Sequence, residues 1–382
     1  MADIKRFCLK LVILLFLREK KMSRKFRIAV IGIGGIAGMH AKAIGDIANA
    51  QLVGGSCRGE EKGQAFAKDY GCRWYGDYLE MLDREKPDVV TVCTPSGAHL
   101  EPVLACAERG IDVLCEKPLE ITTARVDLMI AAAQAGGITL GCIFPQRFNP
   151  VLEELYRAAA AGRFGKLAVV NAYVPWWRDD AYYAPGRWQG TLAMDGGGAL
   201  MNQSIHGVDA VQWLAGARQG LSGGPTNPVA EVFAFTAKRG HAEDLIEVED
   251  TAVAVLRFGD GSLGQVLGAT SMYPGNLKRV QIAGAGGTAE VLEDELVTWT
   301  FAAEEAEDDQ RRTRFGRATS TGGGAGDPMA IDYANHTRNI RSFLDALEKG
   351  QEPVINALEG RKAVAIIQGI YESAKTGRAV KI

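Results

Sequence analysis

Three polar side chains recur along one side of an otherwise apolar segment near the middle of the chain. In MNQSIHGVD, residues 201–209, Asn202, His206 and Asp209 stand at i, i+4 and i+7. That spacing predicts a shared helix face, with Met201, Ile205 and Val208 on the neighbouring one. An imidazole can take up a proton near neutral pH, which suits general-base chemistry. The same spacing also suits a histidine satisfied within a core. Asp209 fits a cap or a bond to local backbone better than a reactive role. A second reactive type, Lys117, closes the apolar run DVLCEKP and precedes a proline, a poor setting for an ordinary surface lysine. In a water-poor site its ammonium would stabilise a developing alkoxide. The five histidines are scattered, and Asn202 with His206 lacks the carboxylate partners of a metal site, so no metal is expected.

These groups need elements to hold them. FRIAVIGIG reads as a buried strand that runs into VIGIGGIAG, where Gly32, Gly34 and Ala37 form G-x-G-x-x-A before a helix at 36–48. This strand–turn–helix context is the dinucleotide fingerprint: a tight turn at Gly32, close phosphate approach at Gly34, and close helix–strand packing at Ala37. The cofactor loop is therefore Gly32, Ile33, Gly34, Gly35, Ile36 and Ala37. At the end of the second strand an acid would bind a ribose hydroxyl, and an arginine would accommodate a 2′-phosphate. The sequence there is GGSCRGEE, with Ser56 and Arg58 placed for the cofactor and no acid before Glu60. NADP is favoured on that ground, with NAD as the alternative.

Short apolar strands alternate with helices at 60–70, 98–109 and 122–136 as far as ITLGCIF, which implies a parallel, doubly wound sheet over residues 23–145. From 146 to 382 the style changes to successive strands with short turns, Asp260–Gly261 marking a hairpin. The expectation there is an α/β domain with a large, mostly antiparallel open sheet, closed by helices at 332–349 and 357–375. Residues 1–22 read as a non-structural extension ahead of MSRKF, with secretion or membrane contact as the alternative. Residues 303–328, acidic and then basic and glycine-rich, read as a mobile surface insertion, with a lid or an intersubunit arm as the alternative. A net charge of −3 gives no global argument for nucleic acid or an anionic membrane surface, and neither partner is expected. Seven cysteines without a CxxC pair suit buried free thiols in a reducing cytoplasm.

With these landmarks in order, the chain from 26 to 382 resembles the Gfo/Idh/MocA family (glucose–fructose oxidoreductase and inositol dehydrogenase). The shared features are the glycine fingerprint, TP-x-x-x-H (Thr94, Pro95, His99), EKP (116–118), GGG-x-x-x-N-x-x-x-H-x-x-D, and the closing EGRKAVAIIQGIYESAKTG. The resemblance implies a Rossmann domain followed by a substrate-binding and oligomerisation domain. It also implies hydride transfer between NAD(P) and a secondary hydroxyl of a sugar or polyol such as a pyranose, an inositol or an anhydrosugar. Carried over by position, His206 is the general base, Lys117 polarises the substrate oxygen, and Asn202 orients His206 or a substrate hydroxyl. Thr94, Pro95, His99, Glu116, Lys117 and Arg147 complete the cofactor set. Many members carry aspartate where this chain has Asn202; a neutral amide would not raise the pKa of His206 and leaves it to carry the proton largely alone.

The aromatic and basic run VPWWRDDAYYAPGRWQGT suits a sugar. Arg147, Tyr183, Arg187 and Trp188 are the expected substrate contacts beside Lys117, Asn202 and His206, with Tyr333 and His336 as secondary candidates. A homo-oligomer, dimer or tetramer, is expected through the second sheet. Two other functions share this architecture: a glycosidase using transient oxidation by tightly held NAD, and a nucleotide-binding regulatory module without catalysis.

Overall fold

The computed structural model describes residues 25–242, 244–316 and 333–382, so the expected extension at 1–22 and the later part of the 303–328 insertion lie outside the described residues. The five apolar runs of the first half form β1 (Phe26–Ile31), β2 (Ala50–Ser56), β4 (Val89–Val92), β5 (Asp112–Cys115) and β6 (Leu140–Cys142). Between β2 and β4 lie two elements the apolar pattern does not mark: β3 (Arg73–Tyr75) and a helix over Tyr78–Glu85, capped by Asp77 accepting from the Leu79 amide at 2.9 Å. The six strands are parallel in the order β3-β2-β1-β4-β5-β6. Ile28, Val30, Val90 and Val113 are fully buried, as a sheet covered on both faces requires. The order reverses between β1 and β4, and ligands of doubly wound sheets bind at the carboxyl ends of the strands beside such a switch. Gly32, Thr94 and Lys117 all lie just past those ends.

The second half builds an eight-stranded sheet in the order β13-β12-β11-β7-β10-β9-β8-β14. Its strands are β7 (Leu167–Pro175), β8 (Val229–Ala237), β9 (Thr251–Phe258), β10 (Leu263–Ala269), β11 (Arg279–Gly284), β12 (Gly287–Leu292), β13 (Glu295–Phe301) and β14 (Val380–Lys381). All neighbours are antiparallel except β7 and β10. The expected hairpin joins β9 to β10, with Gly261 at φ +86°. On the inner face Val232, Ala254 and Val266 pack beneath helices Ile205–Gly216 and Ala357–Thr376. The outer face is apolar and open at Phe235, Val253, Val255 and Leu263.

Two expectations change. Helix Ala334–Lys349 does not cover the second sheet: Ile340, Phe343 and Leu344 share a core with Ile28, Ala37 and Ile44 of the first. The 303–328 segment is not wholly a solvated loop either, because Asp308–Phe315 is helical. It is anchored by the buried Asp308 carboxylate, which accepts from Trp299 Nε1 at 2.6 Å and from both terminal nitrogens of Arg163 at 2.9 and 2.7 Å. The six described cysteines are free; Cys57 and Cys72 are half-buried and the others buried. Among the described residues no helix is long and apolar enough to cross a membrane.

Candidate active site

The glycine loop is built to receive an anion. Gly32 takes φ +93°, and a Cβ there would meet the Thr94 amide nitrogen at 2.6 Å, so no other residue fits the turn. Among the described residues a Cβ on Gly34 would meet nothing within 4 Å in front of helix Gly35–Gly45. Among the described residues no side chain caps that helix, which leaves its first amides for a phosphate. Ala37 is fully buried and Gly35 exposed, with Ile36 half-buried between them. Ile33, expected at the cofactor, sends its side chain into the core; only its backbone belongs to the loop. At the end of β2, Ser56 is buried and Arg58 exposed. These residues fit a dinucleotide: an uncapped helix start, free volume above Gly34, and an arginine where the adenosine ribose would lie.

Lys117 crosses from the first sheet to the second half of the chain. Its Nζ donates to the main-chain oxygen of Asn202 at 2.8 Å. Asn202 lies in a π-helical turn, Ala199–Ser204, which becomes α-helical at Ile205. Asn202 and His206 therefore straddle a junction of the kind common at functional sites, not one regular face. Asp209, further on, points elsewhere. Its carboxylate accepts from Arg147 Nε at 2.8 Å and from an Arg147 terminal nitrogen at 2.5 Å, deep in the interior. The line of three polar residues thus divides: Asn202 meets Lys117 through its main chain, His206 lies within the field of that ammonium, and Asp209 turns into the core.

His206 packs edge-on to Phe144 at 6.0 Å, and its Nδ1 is buried without a partner among the described residues. Burial first, and then the charge of Lys117, hold its pKa well below the usual imidazole range, so it is neutral at working pH. Burial also lowers Lys117, opposed by Glu116 and Asp195.

Residues that spacing did not reveal surround this pair. Asp195, 1% exposed, accepts from Asn202 Nδ2 at 2.6 Å and from the Gly190 amide at 2.8 Å. Gln203 donates to Asn202 Oδ1 and to the Tyr182 hydroxyl, both at 2.9 Å, and accepts from Arg178 at 2.7 Å. His40 Nε2 meets Glu116 Oε1 at 2.8 Å, with His336 Nε2 at 3.9 Å from the same oxygen. Burial would lower His40, but Cys93 and Glu116 hold it up to about 10, while the partnered Glu116, despite its burial, falls to about 2. Asp195 stands directly before the glycine run; that adjacency is the one signal in the sequence that could have marked it.

Several expected contacts are spent inside the protein. His99 bridges backbone, Nδ1 at 2.9 Å from the Pro118 oxygen and Nε2 at 3.0 Å from that of Thr94, so its ring nitrogens brace two loops. The Thr94 hydroxyl donates to the Ala98 oxygen at 2.8 Å, next to a half-buried Pro95. Glu116 faces His40 and, at 3.0 Å, the amide of Lys117. Arg147, expected at both cofactor and substrate, is 3% exposed and committed to Asp209 and Glu359 over the ring of Trp213. Tyr183 is buried against Ile246 and Val248, its hydroxyl on Thr270 at 3.0 Å; its neighbour Tyr182 reaches the Asn202 network instead. Arg187 is exposed and Trp188 half-buried, on the segment that Gly190 ties to Asp195. Tyr333 packs with the first core beneath Lys42, and His336 faces Glu116.

Comparison with known proteins accords with this architecture. Residues 26–144 match the family described as "Oxidoreductase family, NAD-binding Rossmann fold", and residues 152–290 match the GFO/IDH/MocA C-terminal domain. The chain is 26% identical over 367 residues to myo-inositol 2-dehydrogenase of Thermotoga maritima, covering 93% of this chain and 98% of that one. It is 26% identical to D-xylose 1-dehydrogenase (NADP(+)) 2 of Haloferax volcanii, covering 92% and 99%. Among solved structures, the WlbA dehydrogenase of Bordetella pertussis, in complex with NADH and UDP-GlcNAcA, superposes with a TM-score of 0.82 at 30% identity, covering 94% and 98%.

Proposed function

From the premise that the chain belongs to the Gfo/Idh/MocA oxidoreductase family, we propose that it transfers hydride between a secondary hydroxyl of a sugar or polyol and NAD(P). His206 acts as general base and Lys117 polarises the substrate oxygen. The observation that carries this reading is the meeting of Lys117 with the Asn202–His206 turn, across the edge of the sheet that bears the glycine loop. A bound oxidised nicotinamide supplies the hydride acceptor. As the C–H bond breaks, charge gathers on the substrate oxygen and the Lys117 ammonium meets it in a site with little water. The hydroxyl proton passes to the Nε2 of His206, since Nδ1 is sealed in the interior. The imidazole is neutral beforehand and so has a lone pair to offer.

Arg58 and the lack of an acid before Glu60 favour the 2′-phosphate cofactor, and the NADH bound by the WlbA dehydrogenase favours the other. Titrating NADP⁺ and NAD⁺ against wild type and Arg58→Ala decides between them. The UDP-GlcNAcA in that relative also makes a nucleotide-linked acidic sugar the second substrate class to try. Arg187, exposed beside Trp188, is the basic group for it.

The experiment is a panel of sugars, inositols, anhydrosugars and nucleotide-linked uronic acids against both cofactors, followed by nicotinamide absorbance. Accumulating reduced cofactor supports the dehydrogenase. Cleavage without it indicates a glycosidase, and silence across the panel leaves the regulatory module. The open apolar face at Phe235, Val253 and Val255 suits a second copy of the chain; a monomer by light scattering would overturn that.

A further inference from the structure

The chain lacks a carboxylate at position 202, yet one lies within hydrogen-bonding distance of the amide that replaces it. We propose that Asp195 is a positioning residue for Lys117, acting through Asn202: it fixes the Asn202 amide and supplies the negative charge that position 202 does not carry. The inference rests on the role proposed above for Lys117.

The sequence explains how Asp195 arrives there. Three glycines separate it from the π turn, and none can be replaced. Gly196 sits at φ +70° with the Ile121 side chain where a Cβ would point. Gly197 faces the Tyr371 hydroxyl in the same way, and Gly198 the Glu249 main-chain oxygen. The run lets the backbone fold back so that residue 195 lies beside residue 202.

Once there, its partners leave one orientation for Asn202. Gln203 Nε2 donates to Asn202 Oδ1 at 2.9 Å, so Nδ2 must turn to Asp195 Oδ1, 2.6 Å away. Gln203 is held in turn by Arg178, which donates to its oxygen. Asp195 Oδ2 accepts from the Gly190 amide. Asn202 then presents its main-chain oxygen to Lys117 Nζ. The path from carboxylate to ammonium runs through one residue, and the field of Asp195 also acts on Lys117 directly.

The charged and titratable groups that face Lys117 are Glu116, Asp195 and Arg178, with Cys142 and His206. Those that face Asp195 are Lys117 and Glu249, with the hydroxyls of Tyr182, Tyr183 and Tyr371. Arg178 works against the ammonium, so removing either carboxylate should lower the Lys117 pKa. Glu116 is already neutralised by His40 at 2.8 Å; Asp195 is the carboxylate whose charge no arginine or histidine offsets by a direct bond among the described contacts.

The test needs no substrate. The rate of acylation of Lys117 by acetic anhydride is followed against pH by mass spectrometry of its peptide, in wild type, Asp195→Asn, and the swapped pair Asp195→Asn with Asn202→Asp. The single variant should lower the midpoint by about half a pH unit or more, and the swapped pair should restore it. A folded Asp195→Asn with an unmoved midpoint, or a swapped pair that restores nothing, overturns the proposal. If the single variant does not fold, the Gly190 amide shift of the wild type reports Asp195 ionisation, and a midpoint above that of Lys117 acylation, which would leave residue 195 uncharged while Lys117 titrates, overturns it equally. Because labelling is independent of turnover, absence of dehydrogenase activity would leave this result standing, and activity with an unmoved midpoint would sink the proposal alone.

Discussion

Lys117 Nζ donates to the main-chain oxygen of Asn202 across 85 residues of sequence, so the loop after β5 of the nucleotide-side sheet is tied to the π turn that leads into the helix carrying His206. A main-chain acceptor holds the ammonium without neutralising it. That charge helps keep His206 unprotonated.

Replacing Lys117 with alanine should lower kcat by about 10²–10³, the usual cost of losing one preorganised donor to a developing oxyanion. Arginine should not restore it, because a planar guanidinium cannot stand in for a compact ammonium. His206→Ala should cost about 10²–10⁴ in kcat. Both variants should bind dinucleotide nearly as wild type does by nicotinamide fluorescence; substantial residual turnover in His206→Ala would remove it as the base.

The pH profile carries a further expectation. With its pKa held well below the imidazole range, first by burial and then by Lys117, His206 contributes no acid limb near 6.5 to kcat/KM. Asp195, pushed up to about 7 by burial, does titrate there. A limb near neutrality that disappears in Asp195→Asn belongs to Asp195, and one that persists does not.

That carboxyl also sets a stability trend. Its folded pKa lies above the unfolded value of 3.8, so the folded chain binds the proton more tightly. Its contribution is most favourable below that unfolded value, declines as pH rises to about 7, and is then constant. Relative to wild type, Asp195→Asn should gain stability as pH rises through that window, by about 4 kcal/mol at most from the shift alone. Urea denaturation at mildly acidic and mildly alkaline pH measures the change, and equal differences at both would contradict it.

Gly34→Ala separates folding from cofactor binding. Among the described residues beyond its chain neighbours nothing lies within 4 Å of the added methyl, so thermal stability should hold. The space it fills is where a pyrophosphate would approach, and dinucleotide affinity should drop about tenfold or more, about 1.4 kcal/mol, by calorimetry. Unchanged affinity would place the phosphates elsewhere.

Arg147→Ala has the opposite signature. It strips the shared cation from Asp209 and Glu359 in the interior and should cost about 3–5 kcal/mol of stability. Cofactor affinity of the folded protein should be unchanged; a large loss of affinity would return Arg147 to the cofactor site.

What could be read from the sequence follows from how local each signal is. The glycine loop, the strand ends at Thr94 and Lys117, and the β9–β10 hairpin depend on a few adjacent residues, and each stands where its pattern places it. Asn202 and His206 were visible as a pair, but the π turn between them was not, since nothing in their types distinguishes it from an α turn. Asp195 escaped because a glycine run carries no periodicity by which to relate it to residue 202. His40, Glu116 and His336 meet only through sheet order and the return of a late helix, which no spacing encodes. Arg147 is expected at the site and Asp209 at a local cap or backbone bond, and the two are instead each other's partners in the interior.

The late helix has one more consequence. Ile340, Phe343 and Leu344 close the core around β1 and the helix behind the glycine loop. During synthesis the phosphate-binding half leaves the ribosome well before the residues that seal it. Until helix Ala334–Lys349 has been made, the first sheet keeps a bare hydrophobic flank, the period in which chaperone capture or aggregation competes with folding. A truncation after residue 332 should therefore accumulate as insoluble protein even though every residue of the glycine loop is present.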